Sequence, residues 1–176
     1  MAALTEAGLR EFILEFYRQA DNSAPLVWFL PYVEDDFHMI WTPTCQFRGP
    51  AGFEEFYRNL TGNVFDRTHD VSDINIKTDG RTAEITFTIH LTAKVWSAPL
   101  PKSIHAENYA NFRWTVRTSE KTGNLAIMDY FLTAVSFPKG SIIVDADKVF
   151  KYLSWMYGPW GFPQTEEYVE SAKQAV

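Results

Sequence analysis

The sequence has 176 residues, 46% of them hydrophobic, which is typical of a single globular domain. Its formal net charge of −6 argues against a nucleic-acid surface, because binding to phosphates needs a basic face. No long apolar run or basic amphipathic helix predicts a membrane contact, and no signal-peptide pattern opens the chain. Its single cysteine, Cys45, cannot form an internal disulfide, so we expect a cytoplasmic protein.

Aromatic residues make up 16% of the chain, with 14 Phe, 8 Tyr and 6 Trp. That content exceeds what an ordinary core needs. It therefore predicts either an apolar cavity or an interface in addition to the core.

The first third of the chain carries helical patterns. Thr5 can cap a helix that runs to about Ala20, with apolar residues at helical spacing. Pro25 begins a second, short helix that ends at Leu30. Gly49-Pro50 opens a third helix that ends near Gly62, and a short strand over 37–41 precedes it.

The rest of the core alternates between apolar and polar residues, which indicates strands. We predict strands over 68–77, 82–96, 105–116 and 125–136. The element order, helices followed by a run of antiparallel strands, gives an α+β fold. The domain spans 1–176, with a core over about 5–136 and an extension over about 137–176 that holds a helix from Asp145 to Tyr157 and several aromatic residues.

Strand parity divides the sheet into a polar and an apolar face. On strand 105–116, Tyr109 and Asn111 alternate with Phe112 and Trp114. Two arrangements stay open from parity alone. Either the polar face meets solvent and the apolar face is core, or the polar face lines a pocket and the apolar face meets a partner.

Four stretches resemble the nuclear transport factor 2-like superfamily, which includes ketosteroid isomerase, scytalone dehydratase, limonene epoxide hydrolase and SnoaL-like polyketide cyclases. Residues 35–41 resemble its acidic lead-in and first strand, and 49–58 its glycine and third helix. The segment Arg67-Thr-His69-Asp70 resembles the next strand, and Asp129-Tyr130-Phe131 the last. The resemblance covers roughly 5–136 and implies a cone-shaped α+β fold, in which a curved antiparallel sheet wraps around the N-terminal helices.

The resemblance also implies which face of the sheet lines the cone. In the superfamily this would be the face that holds His69, His90, Asn111 and Asp129. The apolar face would then be convex and would pair with a second subunit, which predicts a homodimer.

Carried over by position, His69 lies where scytalone dehydratase has a catalytic histidine, and Asn111 where it has a substrate-binding asparagine. That enzyme's other catalytic histidine falls on Lys94, and its helix-end aspartate finds no match in residues 22–24. Asp129 falls on an acid/base aspartate of the epoxide hydrolase. No known catalytic set of the superfamily is complete in this chain.

From these positions we expect Asp129, His69 and His90 to be the catalytic residues, because carboxyl and imidazole groups can exchange protons near neutral pH. Each also has a structural reading. Asp129 could anchor Arg113, His69 could bond to the backbone, and His90 could be a core histidine with its hydrogen bonds satisfied.

The expected substrate-binding residues are the hydrogen-bond donors Asn111, Tyr109, Tyr17 and Lys94 and the apolar wall residue Trp41. We expect no metal, because the histidines are not at compact ligand spacings. We expect no cofactor either, because the chain has no glycine-rich phosphate loop.

Together these expectations describe a cofactor-independent enzyme that acts on a small, hydrophobic, oxygenated molecule of the polyketide or terpenoid kind. The reaction would be isomerisation, cyclisation or dehydration, with epoxide opening less favoured. The alternative is a non-catalytic module of the same fold that binds a ligand or assembles with another subunit.

Overall fold

The computed structural model describes residues 4–96, 103–139 and 141. The elements follow one another in the order helix, helix, strand pair, helix and four long strands. They are α1 (Glu6–Asp21), α2 (Leu26–Phe29), a 3-10 turn (Leu30–Tyr32), β1 (Val33–Thr42), β2 (Cys45–Arg48), α3 (Gly49–Asn63), β3 (Val64–Thr78), β4 (Thr82–Trp96), β5 (Ser103–Thr118) and β6 (Leu125–Ser136).

The six strands form one sheet in the order β2-β1-β6-β5-β4-β3. Strands β3 to β6 are a meander of antiparallel neighbours, and β1 pairs antiparallel with β2. Strand β6, however, returns beside β1 in the same direction, so this pair is parallel. The α+β prediction is confirmed, but the predicted all-antiparallel sheet is wrong, because the sheet is mixed.

The strands with the sharpest alternation were the most predictable. The bounds of β4 and β6 agree with the sequence prediction. Strand β1 begins at Val33 rather than 37, so the acidic lead-in belongs to the strand. The short strand β2 was not predicted, because only Cys45 and Phe47 alternate there with polar residues.

Helices α1 and α3 begin as the sequence indicates. The Thr5 hydroxyl accepts a hydrogen bond of 3.1 Å from the backbone N–H of Gly8, which caps α1. Helix α3 starts at Gly49 in a left-handed conformation (φ +63°), with a clearance of only 3.3 Å between a Cβ there and the carbonyl oxygen of Asp35. Both constraints favour glycine at this position.

The apolar face of the sheet is buried inside the chain, against the helices. The ring of Trp114 on β5 lies 5.2 Å from that of Phe16 on α1 and 5.1 Å from that of Phe87 on β4. The fully or almost fully buried residues of this face include Ile85, Phe87, Ile89, Phe112, Trp114, Val116 and Tyr130. The expectation that the polar face lines the cone is therefore wrong.

The reason is energetic. Helices α1 and α3 each carry an apolar stripe, and burying the polar face against those stripes would leave its His, Asn and Asp side chains without water or partners. With the apolar face inside, the ground for predicting a homodimer is removed. The oligomeric state itself stays a prediction.

The predicted helix from Asp145 to Tyr157 and the aromatic tail lie outside the described residues. In the described part of the chain, no helix is long and apolar enough to cross a membrane.

Candidate active site

A cavity of about 370 Å³ lies between the helices and the inner face of the sheet. This volume is in the range of small-molecule sites. Most of its wall is aromatic or aliphatic, and a few polar side chains interrupt it. Those with polar atoms include Tyr17, Thr42, Tyr57, Arg67, His69, Asn108 and Tyr130.

A β-bulge in β3 brings two of these polar residues into the cavity. Phe65 pairs with Lys94 and Thr68 with Thr92, so Asp66 and Arg67 together oppose a single residue of β4. Asp66 has a positive φ of 48°, as bulged positions often require. The extra residue resets the alternation, so that Arg67 and His69 both line the cavity while Asp66 lies outside.

Asp21, the last residue of α1, holds His69 at two points. One carboxylate oxygen bonds the ring nitrogen Nδ1, and the other accepts a hydrogen bond of 3.1 Å from the backbone N–H of His69. In the neutral form of the ring, a carboxylate acceptor at Nδ1 places the proton on Nδ1 and the lone pair on Nε2. Nε2 has no hydrogen-bond partner among the described residues. An imidazole held in this way on a cavity wall can accept a proton from a ligand.

Two buried tyrosines lie next to this histidine. The Tyr17 ring is 5.0 Å from the His69 ring, and the hydroxyl oxygens of Tyr17 and Tyr130 are 2.9 Å apart. Burial raises the pKa of both phenols, so both are protonated at neutral pH. Only one proton is used between the two oxygens. The other hydroxyl can donate to a ligand oxygen.

Asn108 on β5 extends the polar set across the sheet. His69 pairs with Leu91, and Leu91 pairs with Asn108, so the three residues form one row on the inner face. Neighbouring strands are about 4.8 Å apart, which puts the Cα atoms of His69 and Asn108 roughly 10 Å apart. The Asn108 amide has no hydrogen-bond partner among the described residues and lines the cavity. A ligand of small-molecule length can reach both side chains.

Of the residues predicted from sequence, three line the cavity. These are His69, Tyr17 and Trp41. The Trp41 ring stacks on Phe56 at 5.6 Å and contributes an apolar wall.

The remaining predicted residues lie on the outer face or away from the cavity. His90 bonds Glu107 at 2.8 Å, and Tyr109 stacks on the His90 ring at 4.5 Å. Asn111 accepts a hydrogen bond of 3.1 Å from Thr88. Lys94 pairs with Asp66 at 2.7 Å.

Asp129 is half-buried and alternates with the inward-facing Tyr130, opposite Thr115 of β5. The expectation that His90, Asn111 and Asp129 line the cone is wrong, because the sheet turns their face outward. The structure therefore does not bring Asp129 and His69 together.

Sequence reasoning missed Asn108, Arg67 and Tyr130 as cavity residues, and it missed Asp21 as the residue that holds His69. The resemblance could have identified Asp21, since this residue immediately precedes residues 22–24, where the helix-end aspartate was expected. Asn108 shares the apolar face of β5 with Ala106 and Ala110, and a polar residue on such a face is a signal for a site.

No protein-family model matches the sequence, and no curated protein matches it. Solved structures do match. A candidate scytalone dehydratase from Novosphingobium aromaticivorans superposes with a TM-score of 0.65 at 11% identity, over 78% of this chain and 87% of the other. The hexachlorocyclohexane dehydrochlorinase LinA-type3 from Novosphingobium barchaimii superposes with a TM-score of 0.62 at 10% identity, over 79% and 93%.

The protein has the nuclear transport factor 2-like fold. This confirms the resemblance seen in the sequence. The β subunit of the benzoate 1,2-dioxygenase from Burkholderia mallei also matches, with a TM-score of 0.57 at 15% identity over 75% of this chain and 91% of the other. At these identities, the nuclear transport factor 2-like fold is what the comparisons show.

Proposed function

We propose that this protein is a cofactor-independent enzyme that removes a proton from carbon in a small, hydrophobic, oxygenated molecule. The observation that carries the proposal is the imidazole of His69, oriented by Asp21 with its free Nε2 at an apolar cavity. A base in such a place needs no cofactor to act on a carbon acid.

In the proposed reaction, Nε2 of His69 takes a proton from a carbon next to an electron-withdrawing group. The electrons of the C–H bond form a double bond, and a leaving group departs from the neighbouring carbon, or the proton returns elsewhere on the substrate. A hydroxyl of the Tyr17–Tyr130 pair donates to the oxygen on which negative charge develops. The dehydratase and dehydrochlorinase names of two matched structures both describe eliminations of this kind.

Asp129 and His90, the other residues predicted to be catalytic, have no part in this proposal, because they do not line the cavity. The proposed substrate class stays the hydrophobic, oxygenated, polyketide- or terpenoid-like one expected from sequence, since most of the wall is apolar. A cytoplasmic location and a role in secondary metabolism stay predictions.

The test uses 5-nitrobenzisoxazole, a small neutral aromatic molecule. A base removes its C–H proton, the N–O bond breaks, and a coloured cyanophenolate forms, so absorbance reports proton abstraction directly. Replacing His69→Gln should lower kcat/KM by at least ~10²-fold. The matched control is His90→Gln, which removes an outer-face histidine that is also bonded to a carboxylate.

Unchanged kcat/KM in His69→Gln, or an equal loss in His90→Gln, would contradict the enzyme proposal. The alternative function, a ligand-binding or assembly module of the same fold, predicts no difference in kcat/KM between His69→Gln and the wild type. The match to a dioxygenase β subunit is the observation that favours this alternative.

A further inference from the structure

Arg67 is a buried cation on the cavity wall with much of its hydrogen-bonding capacity unused. The residue is 5% exposed. Its Nη2 donates to the carbonyl oxygen of Ala20 at 2.7 Å and lies 3.5 Å from the hydroxyl of Ser23. Its Nε and Nη1 are shielded from water and have no hydrogen-bond partner among the described residues.

The charge of Arg67 is also uncompensated by direct contact. In the described part of the chain, no carboxylate forms an ion pair with it within 4.0 Å. Asp21 is close enough to interact electrostatically, but its two oxygens are bonded to the ring and backbone nitrogens of His69. A guanidinium stays protonated in proteins even where burial lowers its pKa, as it does here.

Leaving a buried cation with free donors is costly unless something completes it. One contribution of Arg67 is structural, since its bond to Ala20 ties β3 to the C-terminal end of α1, where a cation is favourable. That contact uses only Nη2. It leaves the N–H bonds of Nε and Nη1 without a partner among the described residues, in a side chain that lines a mostly apolar cavity.

We propose that Arg67 is the anchor for a carboxylate group on the substrate, so that the enzyme acts on hydrophobic organic acids. This inference rests on the proposed function and deepens it by naming the substrate class. The bulge at Asp66–Arg67 is what aims the guanidinium inward, in place of the alternation that would have pointed it out. A local adjustment of the side chain would turn its free donors to a ligand oxygen.

The position fits the base on the same strand. Arg67 and His69 are two residues apart on the inner face of β3, a spacing of roughly 7 Å along a strand. A carboxylate held by Arg67 therefore leaves a carbon of the ligand body within reach of Nε2 of His69. Asn108, about 10 Å across the sheet from His69, remains for a second polar group.

The experiment compares naphthalene-2-carboxylate with naphthalene-2-carboxamide, two probes of nearly equal shape that differ in charge. Isothermal titration calorimetry with the full chain should give at least ~10-fold tighter binding for the carboxylate, as a charge-assisted hydrogen bond predicts. Arg67→Met should abolish this preference. The matched control Arg113→Met makes the same charge change on the outer face, where Arg113 lies over the Phe131 ring, and should keep it.

Equal affinity for the two probes, no binding of either, or a preference that persists in Arg67→Met would each overturn the proposal. If Arg67→Met does not fold, the wild-type chain supplies the decision by NMR. The Nε–H signal of Arg67, assigned by its loss in Arg67→Lys, should shift with the carboxylate and stay in place with the amide. If the Nε–H signal of Arg67 does not shift when the carboxylate is added, the proposal is wrong.

This test is separate from that of the proposed function. 5-Nitrobenzisoxazole is neutral, so its turnover reports His69 without Arg67. Loss of turnover in His69→Gln together with equal affinity for the two naphthalene probes would support the enzyme proposal and contradict only the proposal that the substrates are organic acids.

Discussion

The carboxylate of Asp21 makes two hydrogen bonds with His69, one with Nδ1 of the ring and one of 3.1 Å with the backbone N–H. This one contact has two consequences. It joins the end of α1 to the bulged strand β3, and it fixes the imidazole so that Nε2 is the nitrogen available to a ligand. The orientation of the base is thus built into the packing of the fold.

Replacing Asp21→Asn should therefore lower kcat for 5-nitrobenzisoxazole by at least ~10-fold while KM changes little, because an amide can hold the ring in the wrong tautomer. The comparison is Glu107→Gln, which alters the carboxylate partner of the outer-face His90. Steady-state kinetics on both variants, with thermal unfolding to confirm folding, checks this. Equal kcat in Asp21→Asn and wild type would mean that Asp21 is only a structural link.

The Tyr17–Tyr130 pair gives a second prediction. Tyr17→Phe removes the hydroxyl beside His69, and kcat should fall by roughly 10-fold to 10²-fold if that hydroxyl stabilises the developing phenolate. Tyr109→Phe is the control, since Tyr109 lies exposed on the outer face. A rise in KM with unchanged kcat would indicate that the hydroxyl binds the substrate without stabilising the developing charge.

Asn108 gives a third prediction, on stability. Its amide lies on the cavity wall without a partner among the described residues, so Asn108→Leu exchanges a polar group that makes no hydrogen bond within the described chain for an apolar one of similar size. We expect the melting temperature to rise by about 2–4 °C, as a gain of about 1 kcal/mol implies for a chain of this length. Asn111→Leu, which loses the hydrogen bond from Thr88, should bring no such rise.

If Asn108→Leu lowers the melting temperature instead, the amide is satisfied in solution. A role in binding would then need separate evidence. Differential scanning calorimetry of the two variants side by side separates these outcomes.

The sequence was sufficient to predict the α+β fold and a position on the cavity for His69, but not which face of the sheet lies inside. Period-two alternation separates two faces without saying which one is inside. The deciding clue was available in α1, where Leu9, Ile13 and Phe16 form an apolar stripe that needs an apolar surface opposite it. Giving more weight to that stripe than to the polar face would have placed Trp114 inside.

The site residues that were missed depend on details that alternation cannot reveal. The bulge at Asp66–Arg67 reverses parity within β3, and only the pairing with β4 shows it. Asp21 meets His69 across 48 positions of sequence, a contact made by the docking of α1 on β3. Local patterns therefore predicted the elements, while the geometry of the candidate site depends on how the elements pack.

The last prediction concerns the pH dependence of stability and Glu34, which lies at the start of β1. A hydrogen bond from Ser119 and the guanidinium of Arg117, 2.6 Å away, lower the pKa of the Glu34 carboxyl. The unfolded chain protonates this group at about pH 4.3. Its charged form therefore stabilises the fold above that pH, and the stabilisation is lost as the pH falls through the lower pKa of the folded state.

Melting temperatures measured between pH 3 and 7 should accordingly fall less steeply in Glu34→Gln than in the wild type, from a lower value at pH 7. Glu84→Gln, on an exposed position of β4, is the control and should follow the wild-type slope. Glu34 is mostly buried, at 9% exposed, so its pairing with Arg117 is only partly screened by solvent. Parallel curves for Glu34→Gln and wild type would show that the contacts of Glu34 contribute equally whether or not it is ionised, and the assignment of its pKa shift to folding would be wrong.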